Sequence, residues 1–401
     1  MEKTYDLTQG ARRLEKVTAS PIRAMLDRAA ALRARGIDVI PFSAGEPDFN
    51  TPSDIKEAAI RAITNNYSHY TSNRGYPPLR LALQQHILRE TGVDYDPEGE
   101  ILITTGGAEA LNNVITAFVD PEDEVIVLTP SFITYRCLVN FCQAKVVDVP
   151  LRPEDGFQID LEAVRQVITD RTKMLILNNP CNPTGAVFSR ETLEGLSRLA
   201  VERNFLVLSD EMYSRLVYDG AQFCSMASFP GMKERTILVS GFSKTFAMTG
   251  WRLGYVAAAE KLADRVLRVH QYCSTCSPTF IQAALAEAMD TPLTRRQVEE
   301  MVAGFARRRR IMMEGLDQIG GIAYVPPQGA FYIMANVSGL GVNGEAFAQR
   351  LLEEKYVATV PAVGLGATCG DFVRISYATS EENIAEGLRR ISEFASELRR
   401  G

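Results

Sequence analysis

From about residue 100 the chain alternates short apolar runs with stretches whose apolar residues recur at helical spacing. The runs Ile101–Thr104, Val125–Leu128, Lys145–Val149, Met174–Leu177, Phe205–Leu208, Ile237–Val239 and Leu253–Ala257 predict strands, and Ala108–Val119 and Arg190–Arg203 predict helices among them. Runs apolar at successive positions suit strands covered on both faces, as in a mainly parallel sheet under helices. The expectation is an α/β domain built on a seven-stranded sheet. Only a loop separates the last two runs, so an antiparallel edge strand is expected there.

The flanks read differently. Ser20 as N-cap, Pro21 in the first turn and Gly36 as stop delimit an N-terminal helix, followed by a short strand at Val39–Phe42. Pro52 and Asp54 open another helix; Pro77 and Pro78 open the next, which Gly92 closes. Beyond about residue 290 come a helix with a charged face, a strand at Phe331–Val337, a helix near Glu345–Glu354 and a strand at Val373–Tyr377. That is the pattern of a smaller α+β domain. The predicted division is a large domain over 46–290 and a small one formed by 1–45 and 291–401, as suits a chain too long for one ordinary core.

Composition narrows the possibilities. A net charge of −6 argues against a broad nucleic-acid footprint. No apolar run is long enough to span a bilayer, and Met1–Lys16 lacks the apolar centre of a signal peptide, so a cytoplasmic location is expected. Seven cysteines, an odd number scattered through the chain, read as reduced thiols. Cys273 and Cys276 make a single CxxC with no second pair; two small buried residues beside a helix are expected, and no metal.

In open α/β sheets, ligands collect beyond the carboxyl ends of the strands. The first strand is followed by Thr105-Gly106-Gly107-Ala108 at a helix start, where backbone N–H groups can approach an anion. The fourth leads into Asn178-Asn179-Pro180-Cys181-Asn182-Pro183-Thr184-Gly185, a loop stiffened by prolines that leaves the Asn182 amide able to donate. The fifth ends in Ser209-Asp210-Glu211-Met212-Tyr213, a carboxylate that needs a positive partner if buried. The sixth leads into Ser240-Gly241-Phe242-Ser243-Lys244-Thr245, a small loop in which a partly desolvated lysine becomes a usable nucleophile, followed by Gly250-Trp251-Arg252-Leu253-Gly254. Taken singly, these are also an ordinary turn, a self-capping asparagine, a helix cap and a surface lysine. In order they offer an anion nest, an amide, a carboxylate and a lysine.

That conjunction, with Asn182-Pro183-Thr184-Gly185, Ser243-Lys244 and Gly250-Trp251-Arg252-Leu253-Gly254, resembles the class I aminotransferases of fold type I, which use pyridoxal 5′-phosphate (PLP). The likeness runs from about Gly45 to Tyr377. It implies that Lys244 carries the cofactor as a Schiff base and shuttles the proton, while Asp210 pairs with the ring nitrogen. Asn182 and Tyr213 would bond the phenolic oxygen, and Phe132 would stack on the ring. Gly107, Ala108, Ser243 and Arg252 would hold the phosphate, with Tyr70 reaching in from a second subunit, hence a homodimer. Arg374, alone in an apolar strand, needs an anion partner, and the α-carboxylate of an amino acid supplies one, with Gly45 and Asn182 beside it. The implied activity is transfer of an amino group from an L-amino acid, aspartate or aromatic, to a 2-oxo acid such as 2-oxoglutarate. The rivals are a β-elimination lyase on the same site and a non-catalytic PLP-binding regulator. The chain departs from relatives that act on aspartate with a lysine at the place of Ala108, and from those with a serine at Gly241.

Two further motifs lead elsewhere. Gly339-Leu340-Gly341-Val342-Asn343-Gly344 matches a dinucleotide fingerprint but lacks the acidic residue about 20 positions on. Arg307–Arg310 is flanked by Glu299, Glu300 and Glu314, as on a solvated helix face.

Overall fold

The computed structural model describes Thr8 and residues 10–17 and 21–400. The expected cap Ser20 lies outside them, but the helix begins at Pro21 and runs to Ala34 (α1), and Gly36 follows in the left-handed region at φ 82°. Helices α2 (Ser53–Thr64) and α3 (Pro77–Thr91) open behind their prolines, and Gly92 closes α3. The alternating region is β1 (Ile101–Thr104), α4 (Gly107–Phe118), β2 (Glu124–Thr129), α5 (Thr134–Phe141), β3 (Lys145–Pro150), α6 (Leu161–Val167), β4 (Thr172–Asn178), α7 (Arg190–Arg203) and β5 (Leu206–Asp210). After it come β6 (Thr236–Gly241), α8 (Phe242–Thr245), β7 (Gly254–Ala257), α9 (Glu260–Cys273), α10 (Thr279–Ala288) and the long α11 (Pro292–Asp317).

These strands form a seven-stranded sheet in the order β1-β7-β6-β5-β4-β2-β3. Strands β3, β2, β4, β5 and β6 are parallel neighbours; β7 runs antiparallel to both β6 and β1. The antiparallel strand is therefore not the edge expected from the sequence. A short link forces β7 to return beside β6, but β1 then covers its far side, a pairing no local pattern encodes. Burial on both faces follows the predicted apolar runs: β1, β2, β6 and β7 are buried throughout, whereas the edge strand β3 is half exposed. One face packs against α4, α5 and α9, with Val114, Tyr135 and Val266 in its core. The other packs against α6 and α7 through Val164, Leu193 and Leu196.

A second sheet has the order β10-β11-β9-β8, from β8 (Ala323–Tyr324), β9 (Tyr332–Asn336), β10 (Val360–Pro361) and β11 (Phe372–Ser376). Helices α12 (Gly344–Lys355) and α13 (Glu381–Leu398) pack on it. Met25 and Ala29 of α1 join the same core, as does Tyr213 from the loop after β5.

Several local expectations change. The predicted strand Val39–Phe42 is a single parallel bridge, Ile40 to Val357; its apolar residues are buried because Phe42 packs on Gly387 of α13. Glycines of the dinucleotide-like motif serve close packing: Gly339 lies against Gly321, and Gly344 against the Phe372 carbonyl. Cys273 is exposed and Cys276 half-buried at the end of α9, not buried as expected; all seven cysteines are unpaired, and no metal-ligand cluster occurs among the described residues. The basic run is not one solvated face either. Successive helix residues point about 100° apart, so Arg307 and Arg310 face solvent while Arg308 pairs with Asp48 and buried Arg309 reaches Asp219 and the Pro327 carbonyl. Among the described residues no helix is long and apolar enough to cross a membrane.

Candidate active site

Strand register brings the singled-out groups to one edge of the sheet. Asn178 pairs with Asp210, Asp210 with Val239, Gly241 with Gly254, and Gly254 with Thr104. The segments leaving these strands surround a cleft of about 260 Å³, closed on its far side by Tyr332 of β9 and Arg374 of β11. Gly45, Gly107, Ala108, Phe132, Asn182, Asp210, Tyr213, Ser243, Lys244, Arg252 and Arg374 all line it. Tyr70 does not; its side chain stands 85% exposed on the surface.

Lys244 lies on the single turn of α8 rather than in the irregular loop expected, with its Nζ donating to the Gly45 carbonyl at 2.5 Å. Burial brings its ammonium down to about 8, a fall that Glu46 opposes and that Arg374 and Arg252 reinforce. A substantial neutral fraction therefore exists near physiological pH. Asp210, at the end of β5, is buried and raised to about 6 by that burial, partly offset by the hydrogen bond from the Tyr135 hydroxyl to its Oδ2 at 2.6 Å. Its Oδ1 accepts the Met212 N–H at 3.2 Å, so the turn after β5 is fixed by the same carboxylate.

The anion nest has a definite geometry. Gly106 sits at φ 84°, and a Cβ there would lie 2.8 Å from Arg252 Nη2, so the guanidinium rests on the bare turn that opens α4. A Cβ on Gly254 would come within 2.7 Å of the Gly106 carbonyl carbon. Bare backbone at both places lets β7 and the turn meet. Arg252 donates to the Thr249 carbonyl at 2.9 Å, and no carboxylate among the described residues pairs with it.

Arg374 is the most telling group. It is 2% exposed; Nη1 donates to Asn182 Oδ1 at 3.2 Å, Nη2 to the Ser43 carbonyl at 3.3 Å, and Nε has no partner. Its guanidinium lies 4.4 Å from the centre of the Tyr332 ring. No carboxylate among the described residues neutralises it, so the salt-bridge reading of this arginine has no support in the fold. A buried guanidinium without a counter-ion is costly unless an anion arrives. Because Arg374 occupies the Asn182 amide oxygen, the Asn182 amino group is left to donate into the cleft, as the proline-rich loop suggests.

Comparison with known proteins decides what this cleft belongs to. The family described as aminotransferase class I and II matches residues 37–391. The chain belongs to that family. It is similar to the aspartate/prephenate aminotransferase of Thermus thermophilus, 42% identical over 95% of this chain and 97% of that one. It is 38% identical to aromatic-amino-acid aminotransferase 2 of Thermococcus litoralis, over 96% of this chain and 98% of the relative. The structure of Thermus thermophilus aspartate aminotransferase with maleate superposes with a TM-score of 0.92 at 41% identity, covering 96% and 99% of the two chains. The fold is that of the fold-type I PLP transferases, and the enzyme is an aminotransferase that moves an amino group between an amino acid and a 2-oxo acid.

The family's cofactor suits the chemistry of the donors present. An orphaned guanidinium nitrogen, a glycine turn under a second arginine, a buried carboxylate and a lysine of lowered pKa face one another across the cleft. The cleft also contains groups that reasoning from the sequence missed. Tyr135, three residues after Phe132, had a detectable signal: a buried tyrosine hydroxyl needs a partner, and Asp210 is that partner. Tyr332, whose hydroxyl lies 3.2 Å from that of Tyr213, had none, because nothing local in β9 points to a loop over 100 residues away.

Proposed function

We propose that this aminotransferase binds PLP with the phosphate against Gly107, Ala108, Ser243 and Arg252, the ring over Phe132, and its nitrogen at Asp210. Its donors are aspartate or an aromatic amino acid, its acceptor 2-oxoglutarate. The observation that carries the reading is buried, unneutralised Arg374 facing Lys244 across the cleft. Bound there, PLP supplies an aldehyde for the amine and an electron-accepting ring. The rest falls to side chains. Arg374 takes the substrate α-carboxylate through two parallel bonds, with Gly45 and Asn182 beside it. Lys244 would hold the cofactor's aldehyde carbon and, once substrate displaces it, would be the base that moves the proton between the substrate Cα and the cofactor. Asp210 keeps the ring nitrogen protonated, and Asn182 and Tyr213 donate to the phenolic oxygen.

The names of the relatives support both donor classes, and the absence of a lysine at Ala108 removes one anchor for an aspartate side chain. Tyr70, exposed and outside its own cleft, is the residue we expect to reach the site of a second copy, and on this reading the working unit is a homodimer. We also assign residues 46–290 to a cofactor-binding domain and 1–45 with 291–401 to a small domain, a division that the shared core of α1, α12 and α13 supports. Unpaired cysteines suit a reducing compartment, the cytosol. The test is a panel of amino acids with 2-oxoglutarate, assayed for glutamate and the matching 2-oxo acid, together with borohydride reduction and peptide mapping. Aspartate or aromatic turnover with label on Lys244 is expected. Release of ammonia without glutamate would make the protein a lyase, and label on another lysine would remove Lys244 from its role.

A further inference from the structure

Beside the turn assigned to the phosphate lies a largely buried polar cluster that no step above uses. Helix α4 has no side-chain cap, and the Gly106 N–H is already taken by the Thr104 carbonyl at 2.8 Å, so the N–H groups of the first turn remain for an anion. Glu109 sits in that first turn. A carboxylate there is ordinarily drawn to the positive end of the helix, where it would rival a phosphate for the same donors. Instead both of its oxygens are engaged elsewhere. Oε2 accepts the Thr105 N–H, while Oε1 accepts from Asn113 Nδ2 at 2.8 Å and meets His270 Nδ1 at 2.7 Å. His270, on α9, is fully buried, and its Nε2 has no partner. Leaving an imidazole nitrogen unsatisfied in the core is unfavourable, so the contact with Glu109 is what this residue contributes. Burial pushes the Glu109 carboxyl up, but the hydrogen bonds from His270 and Thr105 outweigh it and hold it at about 2, so it is an anion at neutral pH. Neither residue lines the cleft.

We infer that Glu109 and His270 are a positioning pair for phosphate: His270 holds the carboxylate on the α9 side of α4, where it anchors the Thr105 N–H and leaves the first-turn donors to the ligand. This rests on the assignment of the PLP phosphate to that turn.

The experiment measures binding of inorganic phosphate, PLP and phosphate-free pyridoxal to the full-length chain stripped of cofactor. His270→Phe releases the carboxylate from its partner on α9 and is expected to weaken phosphate and PLP by about tenfold, with pyridoxal within about twofold of wild type. Glu109→Gln in the same background removes the competing charge and should recover most of the loss. His270→Asn, which keeps a donor near the Nδ1 position, should stay within about threefold of wild type. If His270→Phe does not fold, Glu109→Asp keeps the charge but is too short to reach both Thr105 and His270; it should show the same phosphate-selective loss. Equal weakening of pyridoxal and PLP, no weakening at all, or no recovery in the double variant overturns the pair. Failure of inorganic phosphate to bind the wild-type chain would instead overturn the placement of the phosphate.

Discussion

Arg374 and Asp210 show how burial turns ordinary side chains into functional ones. A planar guanidinium fits a carboxylate through two parallel bonds that an ammonium cannot reproduce. Arg374→Lys is therefore expected to slow single-turnover reaction of both the amino acid and the 2-oxo acid on the order of 10²-fold, while a carboxylate-free amine such as benzylamine loses little. Equal losses for amine and amino acid would make Arg374 structural. Asp210 is raised to about 6 by burial, and the Tyr135 hydroxyl opposes that rise by stabilising the anion. On the proposed placement, the anion is the form that accepts from and stabilises a protonated ring nitrogen, and it is lost as pH falls through the carboxyl's own value. Tyr135→Phe removes a stabilising bond, so the acid limb of the kcat profile should move up by roughly half to one pH unit. A profile lowered evenly at all pH values would leave Tyr135 a packing residue only.

At the scale of elements, the proposed phosphate site is a joint between α4 and β7. The turn before α4 can meet β7 because Gly106 and Gly254 have no side chains where the two elements meet, and this is the turn to which we assign the anion. Gly254→Ala places a methyl 2.7 Å from the Gly106 carbonyl carbon and 2.8 Å from the Gly107 nitrogen, both backbone atoms. Neither can yield without moving the start of α4. The variant should lose about 1–3 kcal/mol in urea unfolding and should also release PLP faster in dialysis. Destabilisation with unchanged PLP retention would show that the turn shifts without its donors moving.

For the whole molecule, two widely exposed aromatic residues matter most. Tyr70 is 85% exposed and Tyr272 87% exposed, an unusual display for residues of their size. The proposal that Tyr70 completes the phosphate site of a second copy predicts a dimer in sedimentation at assay concentration. Tyr70→Phe should leave stability unchanged yet weaken PLP by about three- to tenfold, the loss of one hydrogen bond to a charged group. Fully active monomers would refute this arrangement.

The apolar runs, the glycine and proline punctuation and the polar strand ends were enough to determine the seven strands, the α/β class, the carboxyl-end location of the site and Lys244, Asp210, Asn182 and Arg374 as its candidates. Those features are local, because a strand buried on both faces must be apolar and a helix must be capped where it stands. The order of the strands was not legible: β7 is interior only because β1, some 150 residues earlier, pairs with its outer side. Nor was the single bridge at Ile40, the burial of Arg309 or the partnership of Tyr332 with Tyr213. Whether Arg374 had a counter-ion was equally undetermined, since an arginine in an apolar strand reads the same whether or not a carboxylate faces it. Only the packing of β11 against the loops after β4 and before α2 left that guanidinium buried and unneutralised, and thereby made it a site for an anion.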